Sequence, residues 1–178
     1  MVQGVAGLHD SSFRVEGDRI VAGTYGAAAV AAGGEVLLRG ICPSDLKVPL
    51  EEFQKAGAAV DADEENCQIR ICMRKRPLPL LIKTEPYPGF PTDLQSPFMA
   101  FLATALGTSY IEEQVFEGRF ATAKILEQMG AVIRTENQRA VIEGHYPLKG
   151  AAVNACDLRG GAALMVAALA AEGDTFIG

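Results

Sequence analysis

The residue of this chain best placed for acid–base work is an aspartate that follows two prolines and a glycine. In Tyr87-Pro88-Gly89-Phe90-Pro91-Thr92-Asp93-Leu94-Gln95 the prolines fix φ and force an extended, rigid approach. Asp93 then stands where an apolar run begins. A carboxylate there has two uses. It can cap a helix, accepting from the free N–H groups at the positive end. Held within reach of a hydroxyl, it can instead take that hydroxyl's proton. Arg119 and Arg159 are candidates of a second kind: a guanidinium grips a carboxylate or phosphate with a fork of donors, whereas on an open surface it forms only a weak ion pair. Asp157, two residues before Arg159, repeats the choice open to Asp93, either a helix cap or a partner for arginines. Val115 and Phe116, taken by type alone, read as core packing.

The formal net charge is −6 and the isoelectric point about 5.0, so bulk charge gives no reason to bind nucleic acid. An anionic substrate would need a few locally placed cations. Cys42, Cys67, Cys72 and Cys156 form no CxxC pair, and His9 and His145 are the only histidines; no metal site is expected. The cysteines are expected to be reduced thiols of a cytoplasmic protein. Residues 1–10 lack a basic start followed by an apolar run, so no secretory leader is expected. The longest apolar stretch, Ala162–Ala171, is far short of the roughly 20 residues of a membrane span and reads as a buried helix.

The elements that must position these residues recur along the chain. Asp18, Asp93 and Asp157 each open an apolar helix, at offsets of 75 and 64 residues. These helices end at Gly33, Gly107 and Gly173, where glycine takes the left-handed conformation. Short strands follow at Glu35–Arg39 and Thr108–Glu112, with a third beginning near Asp174. A second helix comes next, Leu46–Ala56 or Arg119–Met129. Strand pairs then follow, Ala59–Asp61 with Cys67–Met73 and Val132–Thr135 with Ala140–Glu143, each joined by a polar turn. Extended segments at Ile82–Thr84 and Ala151–Asn154 precede the second and third copies. The unit reads helix–strand–helix–strand–strand, an α/β repeat with units of about 16–80, 81–148 and an incomplete 149–178. Repeats bury their core between neighbours, so a half unit is expected to leave an apolar face open to association.

Several motifs resemble the enolpyruvyl transferase family, in particular its UDP-N-acetylglucosamine 1-carboxyvinyltransferases. They are Asp18-Arg19-Ile20-Val21-Ala22-Gly23-Thr24, the Tyr87–Gln95 segment, Glu113-Gln114-Val115-Phe116-Glu117-Gly118-Arg119-Phe120 and Asp157-Leu158-Arg159-Gly160-Gly161-Ala162-Ala163-Leu164. They stand in the family's order, and the resemblance runs from about Gly4 to Gly178. It implies an inside-out α/β barrel, with residues 1–15 ending the other domain and residues 16–178 forming most of the domain that follows. It implies transfer of enolpyruvyl from phosphoenolpyruvate to the 3-hydroxyl of UDP-N-acetylglucosamine, with release of phosphate, at the first committed step of peptidoglycan precursor synthesis. Such chemistry needs a base, an acid and cations to hold phosphate and carboxylate; no cofactor is implied. Asp93 matches the aspartate that contacts the sugar hydroxyl as base. Val115 and Phe116 match the lining of the nucleotide-sugar site, and Arg119 and Arg159 match arginines at the active-site rim, with Asp157 either capping its helix or partnering those arginines at the substrate.

The sequence departs from the family at Gly118, where asparagine is usual, at Cys156 for threonine, and at Ala121-Thr122 for a Met-His pair. The family's Lys-Asn pair, its mobile loop with a reactive cysteine and its distal arginine motif have no match here, so the isolated chain is expected to be inactive. Two alternatives stand beside this reading: a 3-phosphoshikimate 1-carboxyvinyltransferase of the same reaction type, and a non-catalytic fragment or binding module. An RNA-end-processing cyclase would share the repeat, but the acidic charge argues against it.

Overall fold

The computed structural model describes residues 2–178. After an exposed segment without regular structure, the chain forms α1 (Arg19–Ala32), β1 (Glu35–Arg39), a 3-10 turn at Pro43–Leu46, α2 (Lys47–Lys55), β2 (Ala59–Asp63), β3 (Gln68–Cys72) and β4 (Leu81–Lys83). A 3-10 turn at Thr92–Leu94 leads into α3 (Gln95–Leu102), followed by β5 (Thr108–Glu112), α4 (Ala121–Gln128), β6 (Val132–Glu136) and β7 (Arg139–Glu143). The last elements are β8 (Leu148–Lys149), β9 (Ala152–Val153), α5 (Leu158–Leu169), β10 (Ala171–Glu172) and β11 (Phe176–Ile177).

The three aspartate-led helices α1, α3 and α5 pack against one another at the centre. Their composition explains why. Every residue of α3 is buried, and α1 and α5 bury mostly Ala, Gly, Val and Leu, so they lack the polar face of a surface helix. Close approach is built in at Gly26, where a β-carbon would stand 2.7 Å from the Phe53 ring. The amphipathic helices α2 and α4 fill two of the seams around this trio. Phe53 of α2 stacks on Phe98 of α3 with centroids 4.7 Å apart, and the buried face of α4 (Thr122, Ala123, Leu126) meets α3 and α5. The seam between α1 and α5 stays open as an apolar groove of about 510 Å³.

The sheets lie outside the helices. The first has order β1-β3-β2, all antiparallel, with Glu35 opposite Cys72 and Arg39 opposite Gln68. The second has order β4-β5-β7-β6; β4 runs parallel to β5, and Thr108 faces Glu143 across the β5–β7 pair. In β3 the side chains alternate, with Ile69 and Ile71 fully buried between more exposed neighbours, as a half-buried strand requires. Short parallel pairs β8–β10 and β9–β11 flank α5.

Several expectations need correction. Of the helices expected to end at Gly33, Gly107 and Gly173, only α1 does so; α3 ends at Leu102 and α5 at Leu169. The helix expected over Arg119–Met129 begins at Ala121, leaving Arg119 in the preceding turn. The Ala162–Ala171 run is helical from Leu158 and stops at Leu169, its last residue joining β10. Asp93 caps nothing: neither the 3-10 turn at Thr92–Leu94 nor α3 has a side-chain cap. Finally, the four cysteines are not all free thiols. Cys42 and Cys67 form a disulfide with Cα atoms 4.3 Å apart, while Cys72 and Cys156 are free. The β1–β3 ladder explains the pairing: it sets Arg39 opposite Gln68, and Gly40 N–H donates to the Cys67 carbonyl at 2.9 Å, which delivers the next residues of one strand to the start of the other.

Candidate active site

At one end of the central trio the Asp93 carboxylate is held by two guanidinium groups. Arg119 Nη2 donates to Oδ1 at 2.8 Å and Arg159 Nη2 to Oδ2 at 2.9 Å. Three elements converge here. Asp93 comes from the turn before α3, Arg119 from the turn before α4 and Arg159 from the first turn of α5. The rigid Phe90-Pro91 approach aims Asp93 away from the N–H groups it would otherwise cap. Asp18 and Asp157, at the matching positions of α1 and α5, do cap. Asp18 accepts from Ile20 N at 2.7 Å and Val21 N at 3.1 Å, and Asp157 from Gly160 N at 2.6 Å. Of three aspartates with the same place in the sequence pattern, only Asp93 has its oxygens turned to arginines.

The hydrogen bond from Arg159 holds the Asp93 carboxyl below the ordinary carboxylate range, with Arg119 acting in the same direction and partial burial opposing both. The hydrogen bond that Arg159 donates to Asp93 likewise raises the Arg159 pKa, with Asp18 and Asp157 contributing through charge. Arg159 Nε is buried and has no partner among the described residues.

The loop after β5 forms the other wall. Val115 is partly buried and Phe116 is 54 % exposed, its ring under the Arg119 guanidinium at 4.9 Å. Neither belongs to the core, as their types alone would suggest. Phe116, Glu117, Gly118, Arg119, Ala121 and Asp157 line a depression of about 340 Å³ beside the Asp93–arginine cluster. Gly118 has φ 68° with open space around its missing β-carbon. The left-handed region accepts glycine and tolerates asparagine, so this departure from the family pattern leaves the backbone turn intact. Two other departures are neighbours: Thr122 Oγ1 lies 3.7 Å from Cys156 Sγ.

The structure thus brings Asp93, Arg119 and Arg159 into one cluster, with Phe116 and Asp157 beside Arg119, while Val115 is tied to it only through its backbone N–H on Glu113. Sequence reading passed over Thr92 and Glu113, although both stand inside the quoted motifs. Glu113 is 1 % exposed, and a buried carboxylate requires a full set of donors; it has them. Its Oε1 accepts from Thr84 Oγ1 (2.7 Å), Val115 N (2.9 Å) and Phe116 N (3.1 Å), and its Oε2 from Thr92 Oγ1 (2.9 Å). Thr92 Oγ1 in turn accepts from Arg119 Nη1 at 2.8 Å. An acidic residue just past a strand end, followed by chain that must turn sharply, was the available signal.

A cluster of this kind can present cations to an anionic ligand and a carboxylate to a hydroxyl. The family model described as EPSP synthase (3-phosphoshikimate 1-carboxyvinyltransferase) matches residues 1–178. The chain is 49% identical over 161 residues to a UDP-N-acetylglucosamine 1-carboxyvinyltransferase of Desulfofundulus thermocisternus, covering 90% of this chain and 65% of that protein. It is 45% identical over 177 residues to the protein of the same name from Brucella ovis, covering 99% of this chain and 41% of the relative. The chain therefore spans between about two-fifths and two-thirds of the length of these relatives. Among solved structures, the enolpyruvyl transferase NikO from Streptomyces tendae superimposes with a TM-score of 0.80 at 26% identity, over 92% of this chain and 39% of its own. An EPSP synthase from Acinetobacter baumannii does so at 0.72 and 20% identity, over 93% of this chain and 39% of its own, a likeness of fold alone.

Proposed function

The chain belongs to the EPSP synthase (3-phosphoshikimate 1-carboxyvinyltransferase) family of α/β enolpyruvyl transferases, and from that premise we propose that it supplies part of the site that transfers enolpyruvyl from phosphoenolpyruvate to the 3-hydroxyl of UDP-N-acetylglucosamine, releasing phosphate. The observation that carries this reading is the freeing of Asp93 from capping and its placement between Arg119 and Arg159. Asp93 is the proposed base. While both oxygens are held by guanidinium groups it is a weak one, so the incoming hydroxyl must take the place of one arginine before its proton is drawn off. The displaced guanidinium is then free for substrate carboxylate or phosphate. Val115 and Phe116 line the nucleotide-sugar side and Asp157 closes the rim. The choice of UDP-N-acetylglucosamine over shikimate 3-phosphate rests on the names of the relatives at 45–49% identity.

The remaining cationic groups of such a site belong to the rest of the enzyme, and the chain alone turns over little. The same reading takes residues 1–15 as the crossing from the other domain and assigns units of about 16–80, 81–148 and 149–178 to an inside-out barrel. It places the protein in the cytoplasm at the start of cell-wall precursor synthesis. That placement draws on the substrate pair and not on the cysteines, two of which are joined. No helix among the described residues is long and apolar enough to cross a membrane. Association belongs here too: Val21, Tyr25, Leu158, Met165 and Leu169 leave the groove between α1 and α5 apolar and open, and sedimentation should find the chain partly self-associated.

The test is binding. UDP-N-acetylglucosamine and shikimate 3-phosphate are titrated separately into the chain while the amide resonances of residues 113–119 are followed by NMR. Saturable shifts with the nucleotide sugar only, weakened at least tenfold by Asp93→Ala, are expected. Shifts with shikimate 3-phosphate alone would reassign the acceptor, and none with either would leave the site without this substrate class.

A further inference from the structure

Glu113 is a carboxylate buried among donors at the hinge between the two walls of the site. Each of the two threonines bonded to it passes on a direction. Thr84 Oγ1 accepts from Gln114 N at 2.8 Å and donates to Glu113 Oε1. Thr92 Oγ1 accepts from Arg119 Nη1 and donates to Glu113 Oε2. A hydroxyl has one proton to give. Because Glu113 takes the Thr92 proton, the lone pairs of Thr92 face Arg119, and the other end of that guanidinium reaches Asp93 Oδ1. The second oxygen of Glu113 meanwhile draws the Val115 and Phe116 N–H groups into the turn that carries Arg119 and the Phe116 ring.

We infer that Glu113 is a positioning residue of this site, acting through Thr92 as a one-way hydrogen-bond relay that fixes Arg119 on Asp93 while its other oxygen shapes the Val115–Phe116 turn. This rests on the proposed function only where substrate is concerned; the relay itself is a property of the free protein. Glu113→Gln separates the two roles. Its carbonyl oxygen can keep the three donors on the Oε1 side, whereas its NH2 must then face Thr92, which becomes an acceptor twice over and loses its own acceptor. Thr92→Val removes the relay hydroxyl at similar shape, and Thr92→Ser retains it.

Two readouts are taken on the full chain and each variant: the titration of the Asp93 carboxyl by carbon-13 NMR, and the dissociation constant for UDP-N-acetylglucosamine. In Thr92→Val and in Glu113→Gln the Asp93 carboxyl titrates at higher pH than in the parent, Thr92→Ser restores the parent behaviour, and the double variant matches either single one, because both cut one chain of bonds. Nucleotide-sugar binding weakens by about tenfold in each relay-cutting variant, the loss expected of one hydrogen bond to a charged group. An unchanged Asp93 titration in Thr92→Val, with the Val115 and Phe116 amide shifts in place to show that the turn is folded, would overturn the inference. So would additive effects in the double variant. If Glu113→Gln does not fold, the Thr92 pair decides alone. If the parent chain does not bind the nucleotide sugar, the proposed substrate fails, and the titrations still decide the relay.

Discussion

Two guanidinium groups on one carboxylate make Asp93 a titration-sensitive point of the fold. Its folded pKa lies below the ordinary value, first because of the Arg159 hydrogen bond and then that of Arg119. A depressed carboxylate contributes stability that is fully present above the unfolded pKa of about 3.9. That contribution is lost as pH falls through the lower folded value. Asp93→Asn removes it at every pH and leaves both arginines without their counter-charge. Urea midpoints of the parent and of Asp93→Asn should therefore differ at neutral pH and converge below about pH 4. Because the pair is a third exposed, solvent screening keeps the gap small. A gap that persists unchanged into acid would show that the arginine contacts add nothing to stability.

The central helices carry the same starting residue to different ends. Replacing Asp18 by alanine strips the bonds to Ile20 and Val21 and should cost about 1 kcal/mol in urea denaturation, while Asp18→Asn, which caps nearly as well, should cost far less. Equal losses for the two would mean that charge, and not the cap, matters there. Elements whose signals are local were legible in the sequence. Asp18 and Asp157 stand beside the helices they cap, and β1 and β5 lie on Glu35–Arg39 and Thr108–Glu112 as their composition suggests. The motifs also named Asp93, Arg119 and Arg159, which meet in one cluster. What stayed hidden depends on distant partners. Arg119 and Arg159 reach Asp93 from 26 and 66 residues away, Cys67 meets Cys42 across 25 residues of chain that only the β1–β3 register brings together, and the two-residue pair β8–β10 is too short to leave a pattern of alternation. Glu113 was visible as a letter in a motif, but not as the acceptor of four donors.

At the scale of the whole molecule the repeated elements do not fold as separate beads. Phe53 of α2 stacks on Phe98 of α3 and lies 6.0 Å from Phe101, while Phe98 meets Phe90 edge-on at 4.8 Å. These rings join the first set of elements to the second through the segment that aims Asp93, so the core that supports the fold is also the mount of the site. Phe53 is fully buried, and Gly26 of α1 leaves room for its ring, so no neighbour is free to fill a vacancy there. Phe53→Ala should cost about 3–5 kcal/mol. The cost should appear equally in hydrogen-exchange protection of the β1–β3 amides on one side and of the β5–β7 amides on the other, because a core shared by neighbouring repeats couples their opening. Loss of protection confined to the first sheet would separate the two halves energetically; the site would then be mounted on the second set of elements alone, and the aromatic junction would serve packing without supporting Asp93.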